Sequence, residues 1–185
     1  MIHKTIRPWK TLSTETLLQF DPFLTVEKHH VQLPSGQEIP DWTIVKIPDA
    51  VIVPAITTDG KFLVFRQTKY AIPGLTLATV GGMLNPGEDP LAAAKRELLE
   101  ETGYTAPDWT HLGSFIADPN RGVCTIHLFL AQNAVHTQAA DADDLEDQQL
   151  LLLSEEEVRQ ALLQGEFKAI MWTTAVALSI GRLSV

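Results

Sequence analysis

Residues 89–103, DPLAAAKRELLEETG, leave the chain little choice of local structure. Asp89 is a helix N-cap, Pro90 suits the first helical position because its missing N–H has no partner to lose there, and Gly103 is a terminator. Ala, Leu, Glu, Lys and Arg, all good helix formers, fill the interval. On a cylinder turning about 100° per residue, Leu91, Ala94, Leu98 and Thr102 recur on the face expected to meet the core. Glu97, Glu100 and Glu101, at i, i+3 and i+4, share another face. Like charges at that spacing destabilise a helix by about 0.2–0.5 kcal/mol per pair, and Arg96, one turn before Glu100, relieves only part of it. A hard divalent cation would relieve the rest, because Mg²⁺ prefers carboxylate oxygens, keeps waters and meets phosphates at its open positions. Taken alone, RELLEE is an ordinary solvated helix face; its surroundings change that reading.

Those surroundings are mostly strand. Residues 20–48 give two alternating segments around Leu33-Pro34-Ser35-Gly36, read as an N-terminal hairpin. AVIVPAI (50–56), a turn at Thr58-Asp59-Gly60, KFLVFRQ (61–67), 75–80, 111–116 and 123–132 follow as further strands. Ser154 with Glu157 forms a capping box, and the apolar stretch 167–179 is expected to be a last helix packed on the sheet. With 185 residues, 45% of them hydrophobic and 20% charged, the chain is sized for one structural domain. Fourteen Lys+Arg against 23 Asp+Glu give a net charge of −9, which repels nucleic acid. An anionic ligand would then need a mediating cation. No apolar run approaches the roughly 18 residues of a membrane span, and the start, MIHKTIRPWKTLSTE, lacks the apolar block of a secretory signal. The single Cys124 fits a reducing compartment, so a cytoplasmic location is expected.

Ahead of the helix stands Gly81-Gly82-Met83-Leu84-Asn85-Pro86-Gly87-Glu88, a Gly- and Pro-rich loop delivering a further carboxylate. Gly82, Glu88, Arg96, Glu97, Leu98, Glu100, Glu101 and Gly103 form one spaced unit, and at this point the sequence resembles the Nudix hydrolases, whose box reads G-x5-E-x7-R-E-U-x-E-E-x-G-U with U a bulky aliphatic. Only Tyr104 departs from it, at the last position. The resemblance implies an α/β (α+β) fold, a mixed β-sheet sandwiched between helices, here with an N-terminal hairpin extension: residues 1–48 as the extension, 49–185 as the hydrolase domain. It implies Mg²⁺ as cofactor, with Mn²⁺ a substitute. Glu97 and Glu101 would be the main metal ligands, Glu100 would assist in catalysis and ligation, and the backbone carbonyl of Gly81 could add a ligand. Arg96 and Glu88 would orient them by ion pairing.

The chain also resembles one subgroup, the ADP-ribose and nucleoside-diphosphate-sugar pyrophosphatases, from about Phe23 to the terminal helix. Pro119 stands where that subgroup has a proline, sixteen residues after Gly103. Turn chemistry in Ala117-Asp118-Pro119-Asn120 explains the same residue. Two positions depart from the subgroup: Ala78 replaces a substrate-side Glu, and Pro119-Asn120-Arg121-Gly122 replaces a Pro-Gly pair. The resemblance implies a small nucleotide substrate, hydrolysed to a nucleoside monophosphate and a sugar phosphate, and a homodimer that exchanges its hairpin. It implies a general base in the acidic loop 141–147, where Glu146 and Asp144 are the candidates, although such a loop is also simply well solvated. Arg66, Gln67, Lys69 and Arg121 are candidate phosphate and ribose contacts, and Phe23 and Trp42 candidate stacking partners for a base. His29-His30 point to opposite faces of a strand and read as surface and core. Two other readings stay open: hydrolysis of nucleoside triphosphates or dinucleotides, and non-catalytic sensing of a nucleotide metabolite.

Overall fold

The computed structural model describes residues 6–141 and 147–184. The chain divides into two compact units, Met1–Pro48 with Ile116–Cys124, and Asp49–Phe115 with Thr125–Val185.

The first unit is an antiparallel three-stranded sheet, β1 (Lys10–Phe20), β2 (Leu24–Gln32) and β3 (Glu38–Lys46), in that spatial order. Gly36, at φ 89°, makes the β2–β3 turn where Pro34 and Gly36 predict one. Sequence periodicity marks β2 and β3 but not β1. The reason is physical: every residue of β1 is exposed, so neither of its faces imposes the apolar alternation by which a half-buried strand is recognised. The segment 116–124 runs beside β3, with Val45 N donating to Arg121 O and Ile47 N to Val123 O, both at 3.0 Å.

The second unit is built on a mixed sheet ordered β12-β6-β5-β11-β4-β8. Its strands are β4 (Ala50–Val53), β5 (Ala55–Thr57), β6 (Phe62–Lys69), β7 (Ile72–Ala78), β8 (Val80–Met83), β9 (Tyr104–Thr105), β10 (Asp108–Ile116), β11 (Thr125–His136) and β12 (Gln148–Leu153). β7 pairs with β6, while β9 and β10 pair with β11. β4 and β5 both run parallel to β11, as one strand interrupted at Pro54, and the β4–β8, β5–β6, β6–β7 and β6–β12 pairs are antiparallel. The described residues hold three helices: α1 (Pro90–Thr102), α2 (Glu155–Leu163) and α3 (Ile170–Leu183).

α1 and α3 both pack on β4 and β11, and successive residues Val51, Ile52 and Val53 are all buried. Alternating side chains of a strand point to opposite faces, so burial of all three means that helices cover both, the sandwich that the resemblance implies. On α1 the inward residues are Ala93, Ala94, Leu98 and Thr102; Leu91, expected among them, is only half-buried at the helix start.

Candidate active site

The site is assembled by β8, the loop after it and α1. β8 lies antiparallel to β4, with Gly82 opposite Val51 and Gly81 opposite Ile52. The loop that follows closes on itself: Glu88 N donates to Asn85 O at 3.0 Å, Asn85 N donates to Glu88 Oε2 at 2.9 Å, and Gly87 sits at φ 77°. α1 then begins as its sequence dictates. Asp89 Oδ1 accepts from Ala92 N at 3.0 Å, and the helix ends at Gly103, φ 72°, whose N–H donates to Leu99 O.

Arg96 is the hub. Its Nε and Nη2 donate to the two oxygens of Glu88 at 2.8 and 2.9 Å, a bidentate pair, and Nη2 also reaches Met83 O at 3.2 Å. Its Nη1 donates to Glu97 Oε1 at 2.7 Å and to Glu100 Oε2 at 3.0 Å. The guanidinium holds Glu88 well below the usual carboxylate range, to about 2, with help from Asn85 N–H. Glu97 goes the other way: burial pushes its carboxyl up, against the pull of Arg96. The two carboxylates thereby take different roles. Glu88 is fully committed to Arg96, whereas Glu97, with only 12% of its side chain exposed, keeps an imperfectly compensated charge.

Two glycines bring the carboxylates to the sheet. A Cβ on Gly82 would overlap the Glu97 carboxylate, so glycine is what admits that group against β8. Glu101 Oε2 lies 3.4 Å from Gly81 N on the same strand. Glu88, Glu97 and Glu100 share one arginine, and with Glu101 beside Gly81 the four carboxylates carry a formal excess of three negative charges over that guanidinium. This oxygen-rich, electron-rich set fits a hard divalent cation. Glu97 and Glu100 turn toward Arg96 Nη1, and among the described residues no three acidic, His or Cys side chains converge on one point ready to hold a metal.

Because its folded-state pKa is depressed, the Glu88–Arg96 pair stabilises the fold fully above the unfolded pKa of Glu, and that contribution fades as pH falls from about 4.5 toward about 2. Glu88→Gln is therefore expected to unfold at lower denaturant concentration than the parent at pH 7, with the gap narrowing as pH falls below 4.5. Urea titrations at pH 7, 4 and 3 measure it; a gap independent of pH would contradict this assignment.

The remaining sequence candidates scatter. On β6, Gln67 is buried and Arg66 exposed, so the strand sends them to opposite faces; Lys69 is half-buried. Arg66 lines a cleft of about 250 Å³ with Thr76, Gln164 and Lys168. In the N-terminal unit Trp42 and Arg121 do meet: the guanidinium lies 5.4 Å from the indole centroid, and Trp42 Nε1 donates to Asn120 O at 3.0 Å. Trp9 joins them edge-on at 5.2 Å; lying before the exposed β1, it carries no pattern that would have marked it. Phe23 is 62% exposed in the β1–β2 turn. Trp42 pairs with His29, six residues along β2 from Phe23, so roughly 20 Å of strand separates the two aromatics within one chain. His29 and His30 hold separate carboxylates, Glu27 at 2.7 Å and Glu38 at 2.8 Å. Asp118 Oδ1 caps the turn through Pro119, accepting from Asn120 N and Arg121 N. Asp144 and Glu146 lie outside the described residues.

Comparison with known proteins agrees with this geometry. Residues 46–173 match the NUDIX domain, and residues 9–45 match the nucleoside diphosphate sugar hydrolase N-terminal domain. The chain is 38% identical over 102 residues to an ADP-ribose pyrophosphatase of Bacillus subtilis, an alignment taking in 55% of each protein. It is 34% identical over 152 residues to a methanol dehydrogenase activator of Bacillus methanolicus, covering 82% of this chain and 81% of that one. The chain thus spans only about half the length of the first of these relatives. The fold superimposes on the crystal structure of an ADP compounds hydrolase with a TM-score of 0.81 at 22% identity, over 98% of this chain and 97% of the other. With the domain match extending over more than half its length and the box residues gathered on β8 and α1, the chain belongs to the Nudix hydrolase family.

Proposed function

We propose that this protein hydrolyses the pyrophosphate bond of ADP-ribose or a related nucleoside diphosphate sugar with Mg²⁺, releasing a nucleoside monophosphate and a sugar phosphate. The observation that carries the reading is the glutamate set seated on Gly81 and Gly82, in a chain whose first strands match the N-terminal domain of nucleoside diphosphate sugar hydrolases. Glu97 and Glu101 would hold the metal, Glu100 would assist, and the Gly81 carbonyl could add a ligand; Mn²⁺ would serve in its place. When bound, the cation neutralises charge developing on the leaving phosphate and lowers the pKa of the attacking water.

The protein's own residues supply the rest. Arg96, anchored by Glu88 and Met83 O, holds Glu97 and Glu100 side by side on α1, and both carboxylates would turn from its Nη1 to meet the cation. Glu146, or Asp144 two positions before it in sequence, would take the proton from the attacking water, a task suited to a carboxylate. Arg66 and Lys69 meet phosphate oxygens. In the N-terminal unit, Trp42 under the Arg121 guanidinium offers an aromatic face of the kind that stacks on a base. Leu12, Leu17, Leu18 and Phe20 are all exposed along β1, an apolar surface that a second copy of the chain in a homodimer would cover. Among the described residues no helix is long and apolar enough to cross a membrane, and the lone cysteine suits the cytoplasm.

The substrate class is tested by measuring phosphate release, with a coupled phosphatase, from ADP-ribose, ADP-glucose, GDP-mannose, UDP-glucose, diadenosine polyphosphates and nucleoside triphosphates. Turnover confined to the diphosphate sugars is expected. Preference for triphosphates or dinucleotides would move the substrate while keeping the chemistry, and silence across the panel alongside tight nucleotide binding would make the protein a sensor.

A further inference from the structure

His111, Ser114 and His127 form a chain of side chains that hydrolysis at the glutamate site does not use. Ser114 Oγ lies 3.1 Å from His111 Nε2 and 2.8 Å from His127 Nδ1. Residues three apart on a regular strand point to opposite faces, so His111 and Ser114 of β10 should not meet. They meet because Gly113 between them sits at φ 140°, a setting natural only to glycine, which breaks the alternation as a bulge does. A Cβ on Gly113 would be strained by that φ and would lie 2.7 Å from the ring of the exposed Phe115, which would have to move. β11, paired with β10, then supplies His127.

Two imidazole nitrogens are thus aimed at one hydroxyl, in a cleft of about 320 Å³ that Asp89 and Phe129 also line. The Phe129 ring supports His111, their centroids 5.0 Å apart. A hydroxyl carries one proton, so it donates to one imidazole and accepts from the other, and at least one of the two nitrogens offers a lone pair to the site. No Lys or Arg is among the residues lining the cleft, the carboxylate there belongs to Asp89, and the whole chain carries −9. The available lone pair, the Asp89 carboxylate and the negative net charge favour a cation.

We infer that His111 and His127, with the Ser114 hydroxyl and solvent completing the shell, form a second cation site, one that selects borderline transition ions such as Zn²⁺ over Mg²⁺. The selectivity follows from donor type: imidazole suits Zn, Cu and Ni, whereas carboxylate and water suit Mg, Ca and Mn. Two nitrogens and a hydroxyl are fewer protein ligands than a closed structural zinc site has, so the ion exchanges with solvent. Nitrogen ligands bind zinc at about 2.0–2.1 Å, a closer approach that rotation of the exposed His111 side chain supplies. An ion held there crosslinks β10 to β11 beside the N-cap of α1.

The test is a titration of the full chain, labelled with ¹⁵N in its histidines, with ZnCl₂ in the presence of excess Mg²⁺ to hold the glutamates. The imidazole ¹⁵N resonances of His111 and His127 should shift together and saturate stoichiometrically. His111→Gln and His127→Gln should each weaken Zn²⁺ binding at least about tenfold, with the far-ultraviolet spectrum unchanged. Zn²⁺ that moves neither ring in the parent protein would overturn the inference, as would Zn²⁺ that binds both variants as tightly as the parent. The first readout needs no variant to fold.

Discussion

Glu101→Gln is expected to fold as the parent does and to lose turnover by about 10²-fold or more, the scale on which an electrostatic group of an active site acts. The substitution keeps the size and an acceptor oxygen for Gly81 N, 3.4 Å away, while removing the charge and turning the other oxygen into a donor. It also removes one of three like charges crowded on α1, so helix stability should change by no more than a few tenths of a kcal/mol (~0.2–0.5). Steady-state kinetics on the diphosphate sugar that the parent turns over, beside a thermal melt, separates the two effects. Parent-like turnover at saturating Mg²⁺ would remove Glu101 from the mechanism.

A second large effect is expected from Gly82→Ala. Gly82 has no positive φ to forbid a side chain; what forbids it is the Glu97 carboxylate, which occupies the space of the new methyl. That group is the far end of a flexible side chain, so the fold should yield by moving Glu97 away from β8, at a cost of a few degrees in Tm at most, one kcal/mol being worth about 2–4 °C in a chain of this size. Activity should fall about 10²-fold, the usual effect of misplacing a catalytic group by an ångström. Gly81→Ala makes the contrast. Its Cβ would meet Val51 O at 2.5 Å and Ile52 Cδ1 at 2.7 Å, within the core sheet, so that variant should lose stability before activity is at issue. Full activity in Gly82→Ala would mean that Glu97 need not lie against β8.

The contrast between these glycines also shows where sequence reasoning stops. Asp89, Pro90 and Gly103 were legible as helix boundaries because capping is local, and the box residues because a helix converts spacing into direction. That Gly82 makes room for Glu97 was hidden: it depends on how closely α1 approaches β8, a tertiary distance. β1 was illegible because it buries no face. Arg66 and Gln67 are neighbours in sequence, and adjacency on a strand is what separates them. Trp42 and Arg121 each stand out in sequence, but their pairing across 78 intervening positions, through Asn120 O as well as the guanidinium, belongs to the fold of the N-terminal unit.

The central claim, that these glutamates perform metal-dependent pyrophosphate hydrolysis, is tested most directly by following ADP-ribose by ³¹P NMR with the purified protein, first with Mg²⁺ and then with excess chelator. The diphosphate signal should give way to two phosphomonoester signals with Mg²⁺, the reaction should stop with chelator, and it should resume when Mg²⁺ is restored. Hydrolysis continuing unchanged in chelator would contradict it.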